Sequence, residues 1–341
     1  MEANQTEIVN DTTRQLDVSR GRKQIMIRNH KLLIAALLAS RLLLPAAYAD
    51  DAKPQPVPQE AAPVEKGPPL PLHTIDGVGG VVITPIAYLV NPGPEKQVFG
   101  LPAISGTFVG AGQKNVESFV ITETLWRRLE LGYSASRFGL GTLPTEPAIS
   151  AAGIRSDVWL HTLNARVLAL PENSFGLPTP ALTVGFQGKF NDGIRSINNS
   201  LGGALTTIGY RHDIGEDFVA TATKSFAKGF GRPLILSVGL RVSAADQLGY
   251  VGFGDAYRPS IEGNAVYLVH SHVGLAFEYR QKRNAYGNIG TLVRKEDDWY
   301  TAGVAYVFNN HSSVTAGYGH FGGVLNTVEN YGWALSGKYE F

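Results

Sequence analysis

The sequence predicts an all-β fold, a transmembrane antiparallel β-barrel of about 12 strands with short periplasmic turns and longer outer loops. Three observations lead there. From His73 onward apolar residues recur at every second position, with no long apolar run and no sustained 3.6-residue stripe. Only 17% of the 341 residues are charged while 39 are glycine, too few charges for an ordinary soluble domain. The chain ends on an alternating aromatic strand, with Trp333, Leu335, Gly337, Tyr339 and Phe341 facing one way and Ala334, Ser336, Lys338 and Glu340 the other.

The elements follow from the N-terminus. Arg28 and Lys31 precede an apolar core from Leu32 to Leu44, and Ala47-Tyr48-Ala49 forms a small-residue cleavage site, so a cleaved signal peptide is expected with Asp50 as the mature start. Arg41 interrupts the apolar core, which is too short for a spanning anchor. Residues 1–25 are polar and reach far upstream of a normal signal peptide, as a start codon placed too early would produce. Without residues 1–49 the chain keeps 23 basic and 25 acidic residues, a charge of −2. Residues 50–72 hold seven of the 19 prolines and read as a periplasmic linker, extended and without a core. A docking ligand for peptidoglycan or a periplasmic partner is the alternative.

Residues 73–100 are apolar and glycine-rich and read as a periplasmic cover, a plug in the bore or an extra strand. The barrel proper is expected over 101–341. Its strand cores fall near 103–111, 116–124, 129–138, 158–168, 181–190, 217–226, 233–242, 259–269, 273–281, 299–308, 313–320 and 332–341. An even count places both termini in the periplasm. Short links alternate with long ones as turns and outer loops should, although link 112–115 is short for an outer loop and link 169–180 long for an inner turn. A soluble sandwich also alternates. The membrane barrel is favoured because Gly, Ser, Ala and Thr share the polar face with charges of both signs. It is favoured too by aromatics near strand ends, namely Trp159, Tyr267, Tyr279, Trp299, Tyr300, Phe308, Tyr318 and Trp333, which suit interfacial girdles. Trp333, Leu335, Tyr339 and Phe341 together look like the terminal signal read by the outer-membrane assembly machinery.

The segments HTIDGVGGVVITPIAYLVNPG, GRPLILSVGLR, LGYVGFGDAYRPSIEGN, EYRQKRNAYGNIG and WALSGKYEF resemble a family of proteobacterial outer-membrane proteins of unknown function. The likeness runs from about His73 to Phe341. It implies a location in the Gram-negative outer membrane and brings no catalytic residues with it.

Signals for chemistry are weak. With no cysteine there is neither a disulfide framework nor a thiolate metal site, and near-zero charge argues against a nucleic-acid reader. His270 and His272 share a strand face at a tight turn with no third ligand nearby, so turn polarity explains them better than a metal. Gly229-Phe230-Gly231 and Gly252-Phe253-Gly254 precede no helix and suit turns rather than phosphate cradles. No cofactor is implied. The candidate functional residues are the lumen charges Glu130, Arg166, Lys189, Arg241, Glu278, Arg280 and Lys338, all on inward positions. They suit an ion-selective constriction or a salt-bridged filling.

These readings favour a passive channel or facilitator for small solutes, with lipids and the assembly machinery as partners. A structural or assembly-linked barrel comes second and a lipid-modifying enzyme third. N-terminal sequencing of the mature protein should begin at Asp50. Recovery with Met1 or Met26 intact would contradict the assignment of Ala47 and Ala49 as the cleavage site.

Overall fold

The computed structural model describes residues 71–341 apart from Lys228. The upstream extension, the signal peptide with Ala47 and Ala49, and the linker up to residue 70 lie outside the described residues.

Alternation works out as strands β1 (Ala103–Ala111), β2 (Lys114–Leu125), β3 (Leu129–Gly139), β4 (Asp157–Leu170), β5 (Ala181–Asp192) and β6 (Ile214–Phe226). The second half comprises β7 (Leu234–Ala245), β8 (Phe253–His270), β9 (Val273–Arg280), β10 (Trp299–Val307), β11 (Ser312–His320) and β12 (Gly332–Glu340). Each pairs antiparallel with the next, and β12 pairs with β1 from Gly332↔Ala111 to Glu340↔Ala103, closing a 12-stranded barrel. Closure removes the free edges that hydrocarbon cannot solvate. Every expected strand core coincides with one of these strands, with an overhang of no more than one residue at 233, 281, 308 and 341. The largest extension is in β8, which starts at Phe253 rather than 259 and carries a register shift between Phe253 and Arg258.

One side-chain set per strand faces out and is exposed and apolar, as with Leu236, Val238 and Leu240 on β7 and Trp333, Leu335 and Tyr339 on β12. The opposite set is buried and polar: Glu130, Ser134 and Ser136 on β3, and Ser336, Lys338 and Glu340 on β12. A barrel in water would reverse this order. Trp299 is a correction to the expected aromatic girdle. It is buried, edge-on to Phe321 at 5.2 Å between ring centroids with the Lys282 ammonium 4.5 Å from its own ring. Strand parity allows one of the neighbours Trp299 and Tyr300 to face out, and Tyr300 takes that place.

One end of the barrel carries tight turns and both ends of the strand set. At 125–128 the chain reverses through Trp126 (φ 50°) and Arg127 (φ 56°), with the Arg128 N–H donating to Leu125 O at 2.9 Å. Two successive positive φ values match the right-handed strand twist, at a steric cost for residues other than glycine. The other end carries loops 140–156, 193–213, 246–252, 281–298 and 321–331. They include α1 (Ile194–Ser200), α2 (Ala204–Ile208) and a small hairpin pairing Gly322–Val324 with Thr327–Glu329.

The Phe341 N–H donates to Pro102 O at 3.1 Å, just beyond the β12–β1 seam. Deleting Phe341 should reduce the yield of folded, heat-modifiable barrel, because the seam forms between the first and last strands. An unchanged yield would contradict a role for the terminal residue in closure.

Candidate functional site: the filled bore

Residues 71–91 are buried along nearly their whole length and bond to the inward faces of the strands. Only a two-residue ladder, Leu72–His73 against Gly79–Gly80, gives the segment regular structure. A few further bonds lie within the segment, such as Ile75 N–H to Val82 O at 2.9 Å and Ile86 N–H to Gly79 O at 3.1 Å, and the backbone groups left over need partners from the wall, since unpaired buried amides and carbonyls are costly. The seven charges read from the sequence supply many of them.

On β3 and β4, Glu130 and Arg166 face each other in register. Arg166 Nε and Nη2 each donate to Glu130 at 2.8 Å. The same pair reaches the segment. Glu130 accepts from the N–H groups of Gly79 at 3.0 Å and Val90 at 2.8 Å, while Arg166 donates to the carbonyls of Ile86 at 2.6 Å and Tyr88 at 2.8 Å. Glu278 on β9 gathers three successive amides, Val82 at 3.2 Å, Ile83 at 2.9 Å and Thr84 at 2.7 Å, and also the hydroxyls of Thr84 at 2.7 Å and Thr301 at 2.9 Å. Such a run of amides forms a concavity suited to an anion. At the turn end, Lys338 donates to Pro71 O and pairs with Glu340 at 2.7 Å.

Lys189, Arg241 and Arg280 surround Asp76, which belongs to the segment itself. Its carboxylate lies 3.7 Å from Lys189 Nζ, 3.5 Å from Arg241 Nη2 and 3.1 Å from Arg280 Nη1. Asp217 and Glu262 complete the balance: Asp217 lies 2.8 Å from both Lys189 and Arg241, and Glu262 lies 3.2 Å from Arg241 and 3.0 Å from Arg280. Three buried cations thus alternate with three buried carboxylates, as burial in a low dielectric demands. The Asp76–Gly77 turn presses on the wall. Gly77 has φ +93°, and a Cβ on Gly132 of β3 would lie 2.3 Å from Gly77 O. Glycine is required on both sides of that approach.

Uncharged groups complete the seating. His73 bonds Ser105 and Thr122, each at 2.9 Å, and the Tyr88 hydroxyl donates to Glu172 at 2.5 Å. Glu172 lies in the turn-end link 171–180, whose length lets a carboxylate reach the segment. The apolar side chains of Ile75, Val81, Val82 and Ile83 point toward the loop end and pack in one cluster with Phe138, Leu248, Tyr250 and Trp299.

All seven lumen charges named from strand parity therefore touch one stretch of chain. Asp76, Asp217 and Glu262 escaped the sequence reading. Asp217 and Glu262 lie on inward positions and parity alone would have found them, whereas the role of Asp76 depends on where residues 71–91 run. Trp333, Leu335, Tyr339 and Phe341 lie on the outer surface. The His270 and His272 rings stack at 5.9 Å beside the turn, and His272 Nδ1 lies 2.7 Å from Val307 O. Among the described residues no group of three or more His, Asp or Glu is arranged to hold a metal ion.

Beyond the strand ends, Asp246 is held well above the ordinary carboxylate range, first by burial and then by the charge of Glu296. Lys282 pairs with Glu296 at 2.8 Å. This cluster ties loop 246–252 to loop 281–298.

Residues 71–338 match the family model described as "Protein of unknown function (DUF3034)". The chain belongs to this family. The match starts with the bore segment and runs into β12, so segment and wall form one family unit. No curated protein matches the sequence. Among solved structures, the KdgM porin is 9% identical with a TM-score of 0.42, over 70% of this chain and 99% of that one. The NanC porin is 10% identical with a TM-score of 0.43, over 70% and 100%. An outer-membrane phospholipase dimer from Salmonella typhi is 9% identical with a TM-score of 0.36, over 71% and 90%. Such distant likenesses carry no functional inference.

Replacing Asp76 by Asn leaves Lys189, Arg241 and Arg280 to share Asp217 and Glu262. Removing one member of a buried ionic set costs about 3–5 kcal/mol. Denaturant unfolding in lipid vesicles should show a loss of that order. An unchanged midpoint would mean that water, rather than Asp76, balances the three cations.

Proposed function

We propose that the protein is a passive channel or facilitator for small solutes in the outer membrane of a Gram-negative bacterium, held closed by its own residues 71–91. The observation that carries this reading is the bore segment, seated mainly by polar contacts on a continuous wall. Eight strands enclose little more than packed side chains, while 12 leave room for a separate length of chain. Without that segment the interior is a bore lined by charges of both signs, the lining of a water-filled passage. The apolar exterior supports residence in lipid, and the aromatic last strand supports handling by the outer-membrane assembly machinery. The N-terminal residues support export with a cleaved signal peptide.

A structural barrel is favoured by one observation, the mutual neutralisation of the bore charges. An enzyme acting on lipid finds less support. Ser105 and His73 lie 2.9 Å apart, but both are buried inside the bore, where no lipid reaches them.

Planar-bilayer recordings separate the readings. The full chain should be silent or open rarely, and a chain lacking residues 71–91, verified as folded by heat modifiability, should conduct steadily. The Asp76→Asn chain should open more often than wild type. Silence of a folded chain without residues 71–91 would reject the channel in favour of the structural barrel.

A further inference from the structure

The loops at one end enclose a cavity of about 470 Å³, within the usual ~300–1,000 Å³ span of small-molecule pockets. Its walls contrast with the bore. Leu143, Ile197, Leu205 and Leu292 are typical of the lining, no charged side chain contributes, and Ser200 and Tyr250 are the only lining residues with polar side chains. These loops are not short of charge, yet their ionic groups pair elsewhere, Arg195 with Asp213 at 2.5 Å and Arg155 with Asp157 at 3.5 Å. An aliphatic cavity offers water almost no hydrogen-bond partners, and leaving it empty forfeits dispersion contacts around its whole surface.

We propose that this cavity binds a small, uncharged, apolar molecule entering from the loop end. A bilayer acyl chain is a poorer occupant, because every lining residue belongs to loops or to α1 and α2 beyond the strand ends. The cavity meets the cover of the bore segment at one residue. Tyr250 lines this cavity and also a smaller one of about 70 Å³ whose other walls include Ile75, Val82 and Ile83. An occupant therefore rests on the ring that covers the apolar turns of residues 71–91. As the solute class of the channel, the proposal rests on the reading above; as a binding site, it does not.

Toluene is the probe, titrated calorimetrically into the full mature chain in lipid nanodiscs, with empty nanodiscs subtracted. The expected result is saturable binding at one site and a rise in Tm with toluene concentration. Ala152→Phe with Ala204→Phe, which fills the cavity from two loops, should weaken binding at least tenfold, and the milder Ile197→Ser should weaken it several-fold. Benzoate, of similar shape but charged, should not bind. Non-saturable uptake equal to that of empty nanodiscs, affinity unchanged in both variants, or benzoate binding as tightly as toluene would overturn the proposal. Saturable toluene binding by a chain that never conducts overturns only the channel reading. Conductance without toluene binding overturns only the ligand class.

Discussion

A ring of 12 strands encloses more cross-section than inward side chains alone can fill, and the chain supplies a second layer from its own N-terminal side. That layer has little regular structure, so internal bonds such as Ile75 N–H to Val82 O and Ile86 N–H to Gly79 O satisfy only part of its backbone, unlike a helix or sheet. Those left over must find partners on the wall. The polar character of the bore follows from this need: carboxylates stand where amides point, as with Glu278 under residues 82–84, and Arg166 stands where carbonyls point at Ile86 and Tyr88. Charges introduced for that purpose must in turn be balanced, which accounts for the alternating set around Asp76.

The same constraint divides the segment. Where it faces the charged half of the wall it presents backbone and Asp76. Where it faces the loop end it presents Ile75, Val81, Val82 and Ile83, and the loops answer with Leu248 and Tyr250. Polar seating fixes the position of the segment, while burial of these side chains couples it to the loops. A fully satisfied buried polar network and a closely packed apolar core both hold a structure rigid.

Much of this was legible in the sequence because a period of two is a local property. β3 and β9 could be assigned, and their inward residues named, without knowing their neighbours. The 12-strand count followed, and so did the inward placing of Glu130, Arg166, Lys189, Arg241, Glu278, Arg280 and Lys338. Parity does not choose between adjacent aromatics, and Trp299 was accordingly assigned to the wrong face. Nor does it report pairing across a bore. Glu130 pairs with its strand neighbour Arg166, but Glu278 bonds amides, and Asp76, Asp217 and Glu262 balance Lys189, Arg241 and Arg280. The path of residues 71–91 left no periodic trace because its geometry is set by the wall.

Amide hydrogen exchange on the lipid-embedded full chain tests the central claim most directly, since it reads the bonds between segment and wall. The amides of Gly79, Val82, Ile83, Thr84, Ala87 and Val90 bond to wall side chains and should exchange as slowly as those of the strands, despite the scarcity of regular structure around them. Glu278→Gln should accelerate exchange at 82–84 and leave Gly79 and Val90 protected by Glu130. Exchange at free-chain rates throughout 71–91 would contradict the account.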